Sequence, residues 1–127
     1  MARTKNRLQP LGDLESAILE VLWEMGDLST PEVHERVGIP RSLSYTTILT
    51  VLQRLAVKGL TARRAGGRSH IYSAAMTREE YAGQRAESLA AALVELGTSG
   101  VSAFIAEAGR LDPEVVNQLR AQLRSRR

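Results

Sequence analysis

At 127 residues, 43% apolar and 24% charged, the chain is long enough for one ordinary domain, or for a small domain with an appendage, and too apolar to be disordered. It has no cysteine, which excludes disulfides, thiol redox sensing and cysteine-based metal sites and fits a reducing cytoplasm. The net charge of +3 belongs to residues 1–76, with ten basic and seven acidic side chains; residues 77–127 carry seven of each, so a charged partner belongs to the first part and the second needs another task.

No apolar run approaches the ~20 residues that a membrane span needs, so no membrane insertion is expected. The basic start, MARTKNRLQPLGD, has no apolar stretch behind it and does not read as a secretory signal; the expected location is cytoplasmic. Of the 17 basic residues 15 are Arg, which reads first as the codon bias of a GC-rich genome and second as a preference for phosphate.

Residues 1–10 read as a loose arm carrying Arg3, Lys5 and Arg7, either a frayed terminus or a phosphate-contacting tail. A first helix is predicted over Asp13–Met25, with Leu14, Ala17, Ile18, Val21 and Leu22 as one apolar stripe, Asp13 as its cap and Gly26 as its stop. Trp23 is expected as a core or rim anchor. Leu28-Ser29-Thr30-Pro31-Glu32 opens a second helix, a hydroxyl cap followed by Pro in the first turn. Val33 and Val37 face inward, His34 is expected to be solvated, and Gly38-Ile39-Pro40 makes the turn.

The third helix is predicted from Ser44, its cap, to about Lys58. Ile48, Val51, Leu52 and Leu55 form the buried stripe, leaving Tyr45, Thr46, Thr47, Thr50 and Gln53 at its start and outer side. Two helices joined by a short Gly-Pro turn, the second with a polar first turn, match a helix-turn-helix. Small hydroxyl residues sit close to DNA without clash, bond phosphates or base edges and offer a methyl to thymine. The same residues also cap and solvate ordinary helices. The surroundings decide between these: no Asp or Glu occurs between Glu35 and Glu79, while Arg36, Arg41, Arg54, Lys58, Arg63, Arg64, Arg68 and Arg78 fall there. With 14 acids in 127 residues, an even spread would put about five in that window. The partner expected of such a surface is duplex DNA.

Gly59 ends the helix, and Leu60–Arg64 and Ser69–Ser73 alternate as two strands about Ala65-Gly66-Gly67-Arg68, a hairpin signal. Arg63, Arg64 and Arg68 are expected to gather near the tip of this wing, suited to the DNA backbone or a minor groove; exposed hairpins also carry Arg for solubility. His70 reads as a surface or phosphate-contacting residue.

Thr77-Arg78-Glu79-Glu80 is a capping box opening a fourth helix, with Ala82, Ala86, Leu89, Leu93 and Leu96 recurring as a narrow seam. Gly97-Thr98-Ser99-Gly100 is expected to break it before a short helix with Val101, Phe104, Ile105 and Ala108. Asp112-Pro113 starts a last helix lined by Val116, Leu119 and Leu123. Three short amphipathic helices cannot bury these stripes alone; packing back onto the first domain is one solution, and a homodimer that pairs two recognition helices on a two-fold operator is the better one.

The first helix LGDLESAILEVLWEMG, the segment TTILTVLQRLAVKGL, the wing GGRSHIYSA and the helical tail together resemble the penicillinase-repressor (BlaI/MecI) family. Thr47, Thr50, Arg54, Leu55, Lys58, Gly59 and Tyr72 match its signature of a Thr-rich turn, Arg-Leu, Lys-Gly and a wing ending in Tyr. The resemblance implies repression of β-lactamase or related genes from inverted-repeat operators. It places Thr46, Thr47 and Thr50 at the major groove and the Arg68 region of the wing on backbone or minor groove. It also implies release by proteolysis of the dimerisation region, set off indirectly by a membrane β-lactam sensor, often at an Asn-Phe bond. Here the matching place reads Ala103-Phe104, with the Phe kept and the Asn replaced. Copper-responsive relatives carry a Cys-rich tail, which this chain lacks.

The expected fold is mainly α with a small β-hairpin: a winged helix-turn-helix domain over 1–76 and a helical dimerisation region over 77–127. The expected DNA-binding residues are Arg41, Ser44, Tyr45, Thr46, Thr47, Thr50, Arg54, Arg63, Arg64 and Arg68. The dimer is assigned to Leu89, Leu93, Leu96, Phe104, Ile105, Val116, Leu119 and Leu123. The alternative is a winged-helix module for protein assembly without specific DNA binding. No cofactor, metal or catalytic residue is expected: there is no metal-ligand pattern, phosphate loop or nucleophile elbow.

Overall fold

The structure, a computed structural model, describes residues 11–126, so the basic arm expected over 1–10 lies outside it. The chain divides into two compact units, 1–85 and 86–127.

The first unit opens with α1, Asp13–Met25. Its cap is Gly12 rather than Asp13: the Gly12 N–H donates to Glu15 Oε1 at 3.1 Å, and Asp13 falls in the first turn, where its charge suits the helix dipole. Ile18, Leu19 and Leu22 are buried, as the stripe requires. Trp23 packs half-buried at the edge of the core.

Leu28–Ser29 is a strand, β1, where the sequence suggested the opening of a helix. Two residues carry no readable period, so only pairing with a distant strand reveals it. Ser29 keeps its second role as a cap: its hydroxyl accepts the Glu32 N–H at 3.3 Å and its own N–H donates to Glu32 Oε1 at 2.8 Å. The helix α2, Thr30–Val33, continues as a wide turn over His34–Gly38 and a tight turn over Ile39–Arg41. Glycine is required at 38, where a Cβ would stand 2.5 Å from His34 Cδ2 and 2.9 Å from Ile48 Cγ1.

Helix α3 spans Tyr45–Val57, capped by Ser44, whose Oγ accepts the Thr47 N–H at 3.1 Å. Ile48, Val51, Leu52 and Leu55 are buried against α1 and α2. Strands β2, Thr61–Gly66, and β3, Ser69–Ala74, form the hairpin, and β1 adds to β3 to give an antiparallel sheet of order β1-β3-β2. The turn is the pair Gly67-Arg68, with Gly67 at φ 84, a conformation that a side chain disfavours. The core is closed by Leu60 and Tyr72, whose ring is fully buried. Helix-turn-helix plus hairpin is the winged-helix arrangement that the sequence predicted.

Thr77 opens α4, Arg78–Leu111, through a reciprocal box: Glu80 N–H to Thr77 Oγ1 at 3.0 Å and Thr77 N–H to Glu80 Oε1 at 2.9 Å. The expected four-residue break shrinks to one residue, Gly97, at φ 72 and ψ −165, after which the helix resumes at once. That backbone region is almost exclusive to glycine, so a single residue suffices. The last helix, α5, Pro113–Ser125, begins as predicted, with the Glu114 N–H on Asp112 Oδ1 at 3.1 Å. In the second unit the apolar stripes lie open: Leu89, Leu96, Phe104, Ile105, Leu119 and Leu123 are exposed, and Leu93 and Val116 are half-buried. By length and composition α4 is apolar enough to cross a membrane, against the sequence reading that no stretch is. Its many Ala, Gly, Ser and Thr residues hide that property from a search for continuous large apolar side chains.

Candidate nucleic-acid interface

One stripe of α3 points away from the core. Thr46, Thr50, Gln53 and Val57 recur at steps of four, three and four, the spacing of a single helix face, and all are exposed. A shallow groove along this face is lined by Thr50, Gln53, Arg54, Val57 and Lys58. A second, lined by Gln53, Ala56, Val57 and Arg63, joins the helix to strand β2. Helix and wing therefore form one continuous surface. Gln53 and Val57, absent from the residues expected to bind DNA, belong to this face by the same helical spacing that unites Thr46 and Thr50.

The front of α3 is tied down. Ser44 Oγ and Thr47 Oγ1 share a hydrogen bond at 3.0 Å, and Thr47 is half-buried, so Thr47 serves the cap and stands apart from Thr46 and Thr50. Tyr45 is partly exposed and meets the His34 ring edge-on at 5.9 Å. His34 is not solvated as expected: its Nε2 lies 2.9 Å from the Leu43 carbonyl, which only accepts, so the ring donates there and holds the segment leading into α3. Arg41 is exposed, but its guanidinium also donates to the Val37 carbonyl at 3.0 Å.

The wing arginines do not gather on one side. Residues 63 and 64 follow one another in a strand and so face opposite ways. Arg63 lies opposite Tyr72 in the register and lines the groove beside α3. Arg64 turns to the other face and pairs with Asp27 at 2.8 Å. Arg68 sits in the turn itself, where residues 65–70 line a small groove with His70 among them.

Tertiary structure also returns acids to a window that lacks them in sequence. Glu15 Oε2 accepts from Lys58 Nζ at 2.9 Å, and Arg54 lies near enough to act on the same carboxyl. Burial acts to raise the Glu15 carboxyl, but the Lys58 hydrogen bond and charge, the Gly12 N–H and Arg54 together hold it below its ordinary value of 4.5. Arg78 is drawn away altogether, to Glu20 at 2.5 Å. Arg63 and Arg68 have no carboxylate partner among the described residues. Nor do the described residues gather three His, Asp or Glu side chains in a cluster that could hold a metal ion.

The penicillinase repressor family model matches residues 11–125. Two transcriptional regulators called BlaI, from Mycobacterium tuberculosis strains CDC 1551 and H37Rv, are each 42% identical to the chain over 88 residues, 68% of its length and 64% of theirs. Among solved structures, the DNA-binding domain of the repressor BlaI is similar at a TM-score of 0.51 and 28% identity, over 56% of this chain and 87% of that one. Bacillus licheniformis BlaI, solved as a monomer with the blaP half-operator, is similar at a TM-score of 0.50 and 27% identity, over 59% and 92%. With a family match running through both units and the winged helix common to these structures, the chain belongs to the penicillinase repressor family, a family of repressors and not of enzymes.

Proposed function

We propose that the chain is a transcriptional repressor that binds duplex operator DNA in the cytoplasm through α3 and the wing. The observation that carries this reading is the continuous outer surface formed by Thr46, Thr50, Gln53 and Val57 of α3 with Arg63 of β2. A helix of this face fits a major groove, and the arginine-bearing hairpin beside it fits the adjacent backbone. That Bacillus licheniformis BlaI was solved with a half-operator supports the same use of the fold here.

The boundary between a DNA-binding part over 1–76 and a dimerisation part over 77–127 belongs to this proposal. So does the homodimer, which is supported by the open stripes of the second unit: Leu89 is 53% exposed and Leu96 64%, too much apolar surface for an unpartnered pair of helices. A second copy explains these stripes better than lipid does. The carboxylate of Glu95, at the middle of α4, would be costly within a bilayer. An inverted-repeat operator follows from two-fold pairing. Control of β-lactamase or related genes, and indirect release through a membrane β-lactam sensor, rest on the family resemblance. If release is by cleavage at Ala103-Phe104, α4 must open there first, because both residues are helical.

The test is binding to duplexes selected from a random pool. Affinity should fall steeply with salt, with a log–log slope of about −0.9 per phosphate neutralised. Salt-independent or absent binding at low ionic strength would overturn the reading in favour of a protein-assembly module.

A further inference from the structure

Resting on the use of α3 proposed above, we infer that Gln53 is a specificity-determining residue of this chain and that it reads one adenine of the operator in the major groove. The outer surface of α3 is a neutral stripe between two basic rims. Arg54 and Lys58 flank it on the side of α1, where both act on Glu15, and Arg63 flanks it on the side of the wing. Cations at the rims suit phosphates, and the uncharged stripe between them suits base edges. On that stripe Thr46 and Thr50 each carry a single hydroxyl, and Val57 carries no polar group. Gln53 alone holds a donor and an acceptor on two neighbouring atoms, the pair that meets adenine N7 and N6 together. No arginine or lysine lies on the stripe to take the N7 and O6 acceptors of guanine in the same way.

The position of Gln53 singles it out as well. Gln53 and Val57 line both the groove along α3 and the groove that joins α3 to β2, so they stand where helix and wing meet. Val57, one turn on, is 88% exposed. Against DNA this apolar side chain would exclude water from one side of the Gln53 amide, and a hydrogen bond shielded from water is the stronger for it. Other polar groups at the front of the helix are already engaged: Ser44 and Thr47 bond each other, and Arg41 holds the Val37 carbonyl. Among the described residues the Gln53 amide has no hydrogen-bond partner, so it turns toward a base without breaking a contact of the fold.

The test uses the full chain and duplexes selected from a random pool. The unaltered chain should select an adenine that Gln53→Ala no longer prefers, with a loss of about tenfold in affinity for the parent site. The salt slope should stay as it was, because no phosphate contact is removed. Replacing that adenine by 7-deazaadenine, which keeps the base pair and lacks N7, should cost the unaltered chain about fivefold and Gln53→Ala almost nothing. Gln53 is exposed and alanine favours a helix, so the thermal melt of Gln53→Ala should match that of the unaltered chain or exceed it. Three results overturn the assignment while leaving DNA binding in place: an equal loss on selected and random duplexes, a selected sequence that Gln53→Ala does not change, or equal sensitivity of both proteins to 7-deazaadenine. If the unaltered chain shows no salt-dependent binding to any duplex, the DNA reading fails and the assignment with it.

Discussion

Lys58 Nζ stands 2.9 Å from Glu15 Oε2, joining the end of α3 to the first turn of α1 across 43 residues of sequence. The pair has two consequences that pull apart. It fastens α3 to the body of the domain, and it holds a negative charge beside the surface proposed to meet phosphates. Glu15→Gln should therefore lower stability by about 0.5–1 kcal/mol in denaturant titration, while operator affinity rises and its salt dependence steepens by about one counterion. Weaker DNA binding at unchanged stability would contradict this assignment.

The same carboxyl sets a pH dependence. Glu15 titrates below its ordinary value of 4.5 in the folded chain, so the folded state binds fewer protons than the unfolded one. Its contribution is present above pH 4.5 and is lost as pH falls through the lowered value. Urea midpoints measured from neutral pH down to strongly acidic buffers should converge for the unaltered chain and Glu15→Gln at the acid end, and separate above pH 4.5.

The threonines of α3 should separate into two classes. Thr46→Ala and Thr50→Ala remove exposed side chains of the outer stripe and should narrow the gap between operator and random DNA, with about 1–3 kcal/mol at stake per good base contact. Thr47→Ala removes a partner of the Ser44 cap and should instead cost about 0.5–1 kcal/mol of stability with discrimination largely kept. Arg68→Ala should weaken operator and random DNA alike. Competition binding against both duplexes, beside thermal melts, reads all four.

The turn before α3 is held by His34 and admitted by Gly38. His34→Ala removes the donor to the Leu43 carbonyl and an edge contact with Tyr45, and should destabilise by about 1–3 kcal/mol in urea. Gly38→Ala drives a methyl into His34 and Ile48, and should exceed that loss, by calorimetry, or prevent folding.

The exposed seam of the second unit gives the plainest test of self-association. Leu89→Asp or Leu119→Asp should convert a dimer into a monomer in sedimentation equilibrium, with half-site binding retained. An intact dimer in both variants would remove these stripes from the interface.

The sequence by itself determined the elements with a strong local code. The stripe of Ile48, Val51, Leu52 and Leu55, the Ser44, Thr77 and Asp112 caps and the Gly-Gly hairpin all appear where residue type and period place them, because helix caps, turn chemistry and amphipathic spacing act within a few residues. Only the tertiary structure decided the rest. It made Leu28–Ser29 a strand, since two residues become one only by pairing with Ile71 and Tyr72. It brought Glu15, Glu20 and Asp27 against Lys58, Arg78 and Arg64, leaving a smaller set of arginines to the proposed surface than the acid-free window suggests. Ion pairs over such separations depend on how α1, α3 and the sheet pack, and charge order along the chain carries no trace of that packing.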